Sequence, residues 1–446
     1  MKFFNSLSRK VEEFKPLKEP HVGMYTCGPT VYDFMHIGNL RTFIMSDLLL
    51  RTLKFNGFKV KSVQNITDID DKIIKRAKER GEDVPEVARE FTKYFIEDVA
   101  KLNISIEDII SPRATDYIPQ MIQYIEELIK KRFAYEKEGS VYFDISKFEK
   151  YGKLSGVSGR ELKTGARNLS DNYTKDDIQD FSLWKKDGEF GFESPWGKGR
   201  PGWHIECSVM SQLNLGDTFD IHAGGVDLLF PHHENEIAQS EARTGKKFVN
   251  YFVHGAHLFV DGQKMSKSLN NFYTLRDVAE NGFEPLALRY LYLQTHYRQE
   301  MNFTWDSLEA AQTALQRMRN EALDSEDGII SAEFERRFKD AINDDLNMPQ
   351  ALAVVWEMLK SNILEEDKAV TLLEMDKVLG LDLKKKKEKI EIEIPEEVKR
   401  LVLEREQLRK EKRYDQADQR RNRIRKLGFD IEDKEEGTIV TRLDKN

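Results

Sequence analysis

The sequence predicts an α/β protein with a doubly wound sheet split by a connective insertion, followed by an α-helical bundle and a small basic C-terminal module. Three observations carry that expectation. Near the start, a strand, a helix and a second strand follow one another, with a tight turn after the first strand. Between about 149 and 200 the sequence turns to Gly, Ser, Asp and Lys, and strand–helix alternation resumes beyond it. From about residue 281 the apolar spacing is helical throughout. A chain of 446 residues also exceeds one compact core, so two to four domains are expected. The sheet domain is placed at 1–80 and 201–280, the insertion at 81–200, the helical domain at 281–382 and the basic module at 395–446.

In chain order, Val22-Gly23-Met24-Tyr25-Thr26 reads as the first strand, ending at Cys27-Gly28-Pro29-Thr30. A periodic helix runs from about Leu40 to Phe55 and Asn56-Gly57 stops it. Phe58 to Val63 is the next strand, leading into Asn65-Ile66-Thr67-Asp68. Ligands of such sheets collect at the carboxyl ends of strands, where Cys27, His36 and Thr67 would arrive. A helical stretch from Glu82 to Lys131 and a short strand at Ser140–Asp144 come next. After the insertion, Trp203–Met210 and Phe230–Arg243 read as helices. Thr218–His222, Phe248–Val253 and Leu258–Val260 read as strands. Helical periods then cover Leu286–Thr295, Ser307–Leu323, Glu333–Ile342 and Pro349–Leu359. Leu383–Glu393, with four lysines in a row, reads as a linker, and a helix pair near Val398–Leu427 precedes a hairpin to Leu443.

Charge limits the partners. The chain carries a net −8, so any nucleic acid must be met by local basic patches. One such patch is Lys399 to Lys426, with twelve Lys or Arg against five Asp or Glu. A solvated helix with internal ion pairs explains that pattern as well as RNA contact does. No apolar run approaches the roughly 18 residues of a membrane span, and the N-terminus lacks an uninterrupted apolar stretch. A cytoplasmic location, without membrane contact, is the expectation.

Three constellations carry chemistry. Lys264-Met265-Ser266-Lys267-Ser268 follows an apolar strand and Asp261-Gly262. Two lysines on a mobile loop can close over a triphosphate and neutralise charge as pyrophosphate leaves. His36-Ile37-Gly38-Asn39 stands at a helix N-terminus, where ring and amide donors face an anion and Gly38 permits close approach. A capping histidine is the plain alternative for His36. The third joins the only two cysteines, Cys27 and Cys207, to Pro231-His232-His233-Glu234-Asn235-Glu236. On a helix His232 and Glu236 share a face, so two thiolates, an imidazole and a carboxylate could form a tetrahedral zinc site. Two buried cysteines beside a polar helix start account for the spacing equally well.

The lysine loop and the His-Ile-Gly turn, in this order around a split sheet, resemble the class I aminoacyl-tRNA synthetases. Cys27 to Asp33, Asn65 to Lys72, Arg200 to Ser208 and Phe230 to Gln239 are similar to the cysteinyl-tRNA synthetase family. The likeness runs from about residue 20 to the basic module. It implies a Rossmann-like catalytic domain and a zinc ion on Cys27, Cys207, His232 and Glu236, with His233 beside the site. It further implies that Gly28, Thr67, Trp203, His222 and Asp227 surround the substrate cysteine. His36, Asn39, Lys264 and Lys267 would be catalytic, with His36, Asn39 and Lys267 on ATP. The implied reaction is activation of L-cysteine with ATP and Mg²⁺ to cysteinyl-adenylate, then transfer to the 3′ end of tRNA(Cys), by a monomer. No editing insertion of obvious size is present.

Two departures qualify the resemblance: Asn39 stands where the general signature has a second histidine, and Asn270 where glycine is commoner. Asparagine donates a hydrogen bond but carries no proton. Two other activities share parts of this pattern. A cysteine ligase of mycothiol biosynthesis has no need of the helical domain and the basic module. A non-catalytic RNA-binding paralogue would have lost His36 or the lysine loop, and both are present.

Overall fold

Five short segments build the centre of the protein. They form β1 (His21–Thr26), β2 (Lys59–Gln64), β3 (Ile109–Ile110), β4 (Phe219–Gly225) and β5 (Val249–Gly255). These pair in the order β5-β4-β1-β2-β3, all parallel. Every residue of β4 is buried, as expected for a strand covered on both faces. The chain steps from β1 to β2 and β3 on one side, and from β4 to β5 on the other. The direction therefore reverses between β1 and β4, where Tyr25 pairs with His222 and Thr26 with Ala223. Open parallel sheets bind ligands at the carboxyl ends of the strands flanking that reversal.

This description comes from a computed structural model, which describes residues 1–157, 179–266, 269, 271–322, 328–384, 395–411, 413–434 and 437–442. Lys267 and Asn270 lie outside the described residues, as do most of the linker 383–393, part of the insertion and Leu443.

Helix α1 (Ile37–Phe55) follows β1. Its N-cap is His36, whose ring accepts the Asn39 N–H, and it stops at Asn56 before Gly57. A φ of +86° at Gly57 is open to glycine at little cost. Helices α2 (Trp203–Leu215) and α3 (His232–Thr244) pack together and carry buried polar residues toward the sheet reversal. The insertion holds an antiparallel four-stranded sheet of Ala134–Lys137, Ser140–Phe143, Phe181–Lys186 and Gly199–Pro201. Several elements differ from the sequence expectation: a hairpin of Lys2–Asn5 with Lys10–Glu13 precedes the first expected strand, and Met301–Phe303 is a strand inside the range expected to be helical throughout. The sheet's edge strand β3 lies beyond residue 80, inside the range assigned to the insertion, because two residues give no readable period. A helix at Glu365–Leu379 joins the four anticipated ones.

The chain divides into two compact units, Met1–Val278 with Phe283–Leu383, and Ala279–Gly282 with Lys384–Asn446. The second has its own small core of Val398, Leu401, Val402, Ile424, Phe429 and Ile431. It contains helices Glu396–Lys410 and Tyr414–Lys426 and a hairpin of Phe429–Lys434 with Gly437–Arg442. Among the described residues, no helix is long and apolar enough to cross a membrane.

Candidate active site

The reversal point gathers side chains from five segments. Cys27 directly follows β1, Thr67 follows β2, His222 lies in the middle of β4, and α2 and α3 supply Cys207, His232 and Glu236. The two sulfurs are 3.9 Å apart, and Cys27 Sγ lies 3.8 Å from Glu236 Oε1. His232 Nε2 lies 3.1 Å from that same oxygen, the i, i+4 contact anticipated on a helix. Donor atoms of Cys27, Cys207, His232 and Glu236 all lie within 4.8 Å of one another. So do donors of Cys27, His222, His233 and Glu236, so the geometry offers two overlapping sets. All the residues of both sets are buried.

Around these donors runs a shell of histidines. His204 Nδ1 lies 2.9 Å from His232 Nδ1, and His222 Nε2 lies 2.9 Å from Glu236 Oε2. His233 reaches Cys27 Sγ with Nε2 at 3.3 Å and His254 with Nδ1 at 2.8 Å. The Trp203 ring packs over His232 at 4.2 Å between centroids. Burial pushes the Cys27 thiol well above its usual range, with Cys207 and Glu236 adding to the rise, and burial raises Cys207 as well. The same desolvation takes His232 and His254 down to about 3. Without a cation, both sulfurs and the rings of His232 and His254 are thus held neutral.

Beside this cluster, the Gly28 N–H donates to Asn65 Oδ1 at 2.9 Å, and a Cβ at Gly28 would sit 1.6 Å from the Asn65 carbonyl oxygen. Only glycine fits that approach. Thr67 Oγ1 accepts from Asn65 Nδ2 and donates to the buried Glu206 at 2.7 Å. Sequence reasoning quoted the segments holding Asn65, His204 and Glu206 without separating these supporting roles. It missed His254, whose signal was a histidine following the apolar Phe252-Val253 of a strand.

The second constellation sits at the start of α1. The Asn39 N–H donates to His36 Nδ1 at 3.1 Å, so in the neutral ring Nε2 carries the proton. Burial lowers His36 to about 4 against an opposing pull from Asp227, and the ring is a neutral donor near pH 7. Asn39 and Asp227 are exposed. The lysine loop approaches the same turn: a Cβ at Gly38 would lie 2.5 Å from Met265 Cε. Lys264 is exposed and pairs with Phe259 across a short antiparallel ribbon, while Lys267 falls outside the described residues.

Comparison with known proteins places this geometry. A family described as "tRNA synthetases class I (C) catalytic domain" matches residues 13–313, and a DALR domain matches residues 337–384. Cysteine–tRNA ligase of Protochlamydia amoebophila (strain UWE25) is 42% identical over 99% of this chain and 98% of its own length. That of Chlamydia felis (strain Fe/C-56) is 45% identical over 99% and 97%. The chain belongs to the cysteine–tRNA ligase family. Its fold is that of class I synthetases. Mycobacterium tuberculosis methionyl-tRNA synthetase in complex with methionyl-adenylate superposes with a TM-score of 0.57 at 15% identity, covering 81% of this chain and 90% of that one. Family membership also settles the fold expectation, since a parallel sheet with a helical domain after it is the shared architecture.

Proposed function

We propose that this chain is a cysteine–tRNA ligase that selects its amino acid with zinc held by Cys27, Cys207, His232 and Glu236. The observation that carries this reading is the buried cluster of those four donors at the sheet reversal. The separations of 3.1, 3.8 and 3.9 Å within the set straddle the edge lengths of a tetrahedral zinc site. A tetrahedron with arms of about 2.0–2.3 Å has edges of roughly 3.3–3.8 Å. Two sulfurs also make this the softer donor set, which favours zinc over harder cations. Glu236 turns Oε1 to the set while His222 holds Oε2, and His204 occupies the far nitrogen of His232. With thiols and imidazole held neutral by burial, the set lacks the positive charge that two thiolates require. His233 is then a neighbour of Cys27 and not a ligand.

When bound, zinc would offer the substrate thiolate a ligand position that serine, harder and far less acidic, cannot take. Such an unmet strong contact can exclude an analogue by roughly 10⁴-fold or more, which makes a separate editing site unnecessary. Gly28, Thr67, Trp203, His222 and Asp227 shape the amino-acid pocket. Gly28 brings backbone close, Thr67 is fixed by Glu206, and Trp203 covers His232. ATP binds with Mg²⁺ between the α1 N-terminus and the lysine loop. The cysteine carboxylate attacks the α-phosphorus and pyrophosphate departs; a terminal hydroxyl of tRNA(Cys) then attacks the carbonyl carbon of the adenylate, forming the ester as AMP leaves and the hydroxyl proton passes to AMP or water. His36, through Nε2–H, and Asn39 donate to phosphate or ribose, and Lys264 and Lys267 neutralise the departing charge. The whole donor set lies in one chain, so a monomer suffices.

The test is amino-acid-dependent ATP–pyrophosphate exchange with cysteine and with serine, followed by charging of total tRNA. Cysteine alone should support exchange. Cys207→Ser and His232→Ala should lose bound zinc and cysteine-dependent exchange while tRNA binding survives. His233→Gln should keep zinc at one per chain; its loss there would move the site to the other set.

A further inference from the structure

The chain leaves β5, makes the excursion that carries the lysine loop and returns to the bundle, and both ends of that excursion meet the first turns of α1. On the outgoing side, the Arg41 guanidinium donates to the carbonyls of Ala256, at 3.0 Å, and His257, at 2.7 Å. These residues directly precede Leu258–Val260, the strand that leads to Lys264. The other nitrogen of Arg41 donates to Gln299 O at 2.6 Å and reaches His296 O at 3.4 Å. That turn precedes Met301–Phe303, which pairs with Leu258–Val260 in parallel. On the returning side, the Ile37 N–H donates to Tyr273 O at 2.8 Å, and His36 bridges Thr274. The Tyr292 hydroxyl, from the helix ahead of the 296–299 turn, donates to Ile37 O at 2.6 Å.

Arg41 is 5% exposed, and its four recorded partners are all main-chain carbonyls. A buried cation usually answers a carboxylate, as Arg289 does with Asp47 in the same unit. Arg41 instead spends its planar, many-donor head on the backbone of the two connections that lead into Leu258–Val260 and Met301–Phe303. Lysine has three donors and no fork, so it cannot reproduce this. Burial lowers Arg41 to about 10, and it stays charged at neutral pH. About one and a half turns separate it from His36 along α1, so it sets the distance between the ring that meets ATP and the strand that presents the lysines.

We propose that Arg41 is a positioning residue for ATP: it pins the platform of the lysine loop to the helix that begins at His36. The proposal rests on the ATP site described above, and equilibrium binding separates the two. Binding of a non-hydrolysable ATP analogue with Mg²⁺ would be measured by calorimetry, alongside exchange kinetics and thermal unfolding, on the full chain.

Arg41→Lys should weaken analogue binding and raise KM for ATP by about tenfold, with zinc content and KM for cysteine changed less than about twofold. Arg289→Lys is the control, since it disturbs a buried arginine whose partners, Asp47 and the carbonyls of Leu379 and Leu102, lie outside the platform. It should lower the unfolding temperature and leave analogue affinity within about twofold. Unchanged affinity in a folded Arg41→Lys protein, or an equal loss in Arg289→Lys, overturns the assignment. If Arg41→Lys does not fold, Tyr292→Phe decides, because it frees the Ile37 carbonyl of the same frame. About threefold weaker analogue binding supports the pin, and unchanged binding removes it. A wild-type protein that binds the analogue but shows no exchange with cysteine would refute the amino-acid assignment and leave the pin standing.

Discussion

His36 combines two roles that one substitution can separate. It caps α1 through Nδ1 and offers Nε2–H outward. Asparagine is among the best N-caps, so His36→Asn should keep the helix start and remove the outward donor. Exchange should fall by about 10²–10³-fold, the effect of losing one preorganised donor, while unfolding at pH 7 changes little. The pH dependence supplies a second readout. Folding lowers His36 from 6.5 to about 4, so the unfolded chain holds more protons between those values. Stability therefore falls as pH drops from 6.5 toward 4, and is unaffected by this group above 6.5. Urea midpoints across that window should fall more steeply for wild type than for His36→Asn; parallel curves would refute the burial of the ring. Residues of this kind were legible because helix-start chemistry and rare cysteines stand out in one dimension. Asn65, Glu206 and His254 did not stand out, because each acts on a partner far along the chain: Glu206 on Thr67, His254 on His233.

Helix α3 shows the same contrast one level up. His232, His233, Glu234, Asn235 and Glu236 are all buried, five polar residues in succession where an exposed helix start would be ordinary. Glu236 faces the donor cluster, and Glu234 faces away from it. Glu234 accepts from the N–H groups of Gly152, Leu154 and Ser155 at 2.9, 3.1 and 2.7 Å, while Asn235 accepts from the Tyr151 hydroxyl. The helix that presents two proposed zinc ligands therefore also ties down the insertion. Glu234→Ala would leave three buried donors without their acceptor and should cost about 3 kcal/mol or more in a urea titration. Zinc content should persist in the fraction that stays folded. A loss below about 1 kcal/mol would show that water or another acceptor replaces the carboxylate. The helical period announced α3, but not that its polar face was inside. Likewise the period revealed four helices of the bundle and passed over Glu365–Leu379, whose acidic first turn masks the buried Ala369, Leu372, Met375 and Leu379. Strand β3 escaped for the opposite reason, being too short to show any pattern.

At the scale of the whole molecule, the charge is divided against itself. A chain of net −8 repels a polyanion at long range, yet Lys399 to Lys426 holds twelve basic residues against five acidic ones. Several of these cations are already engaged locally, Arg420 with Glu404 and Arg423 with Glu397, so the excess and not the full count is available to phosphates. The module has a separate apolar core, and the apolar core of the first unit is built from other residues. Removing residues 395–446 should therefore leave the adenylation chemistry whole. Cysteine-dependent exchange, which involves no tRNA, should stay within about twofold of wild type. Charging of tRNA should lose roughly tenfold or more in kcat/KM if the excess cations contact phosphates, because each lost contact removes released counterions. The salt dependence discriminates further. Each phosphate contact contributes about −0.9 to the slope of log affinity against log salt on a duplex, so the truncated enzyme should bind tRNA with a shallower slope. Equal charging and an equal slope would mean that the basic face is a solvated helix pair, the alternative that charge alone left open.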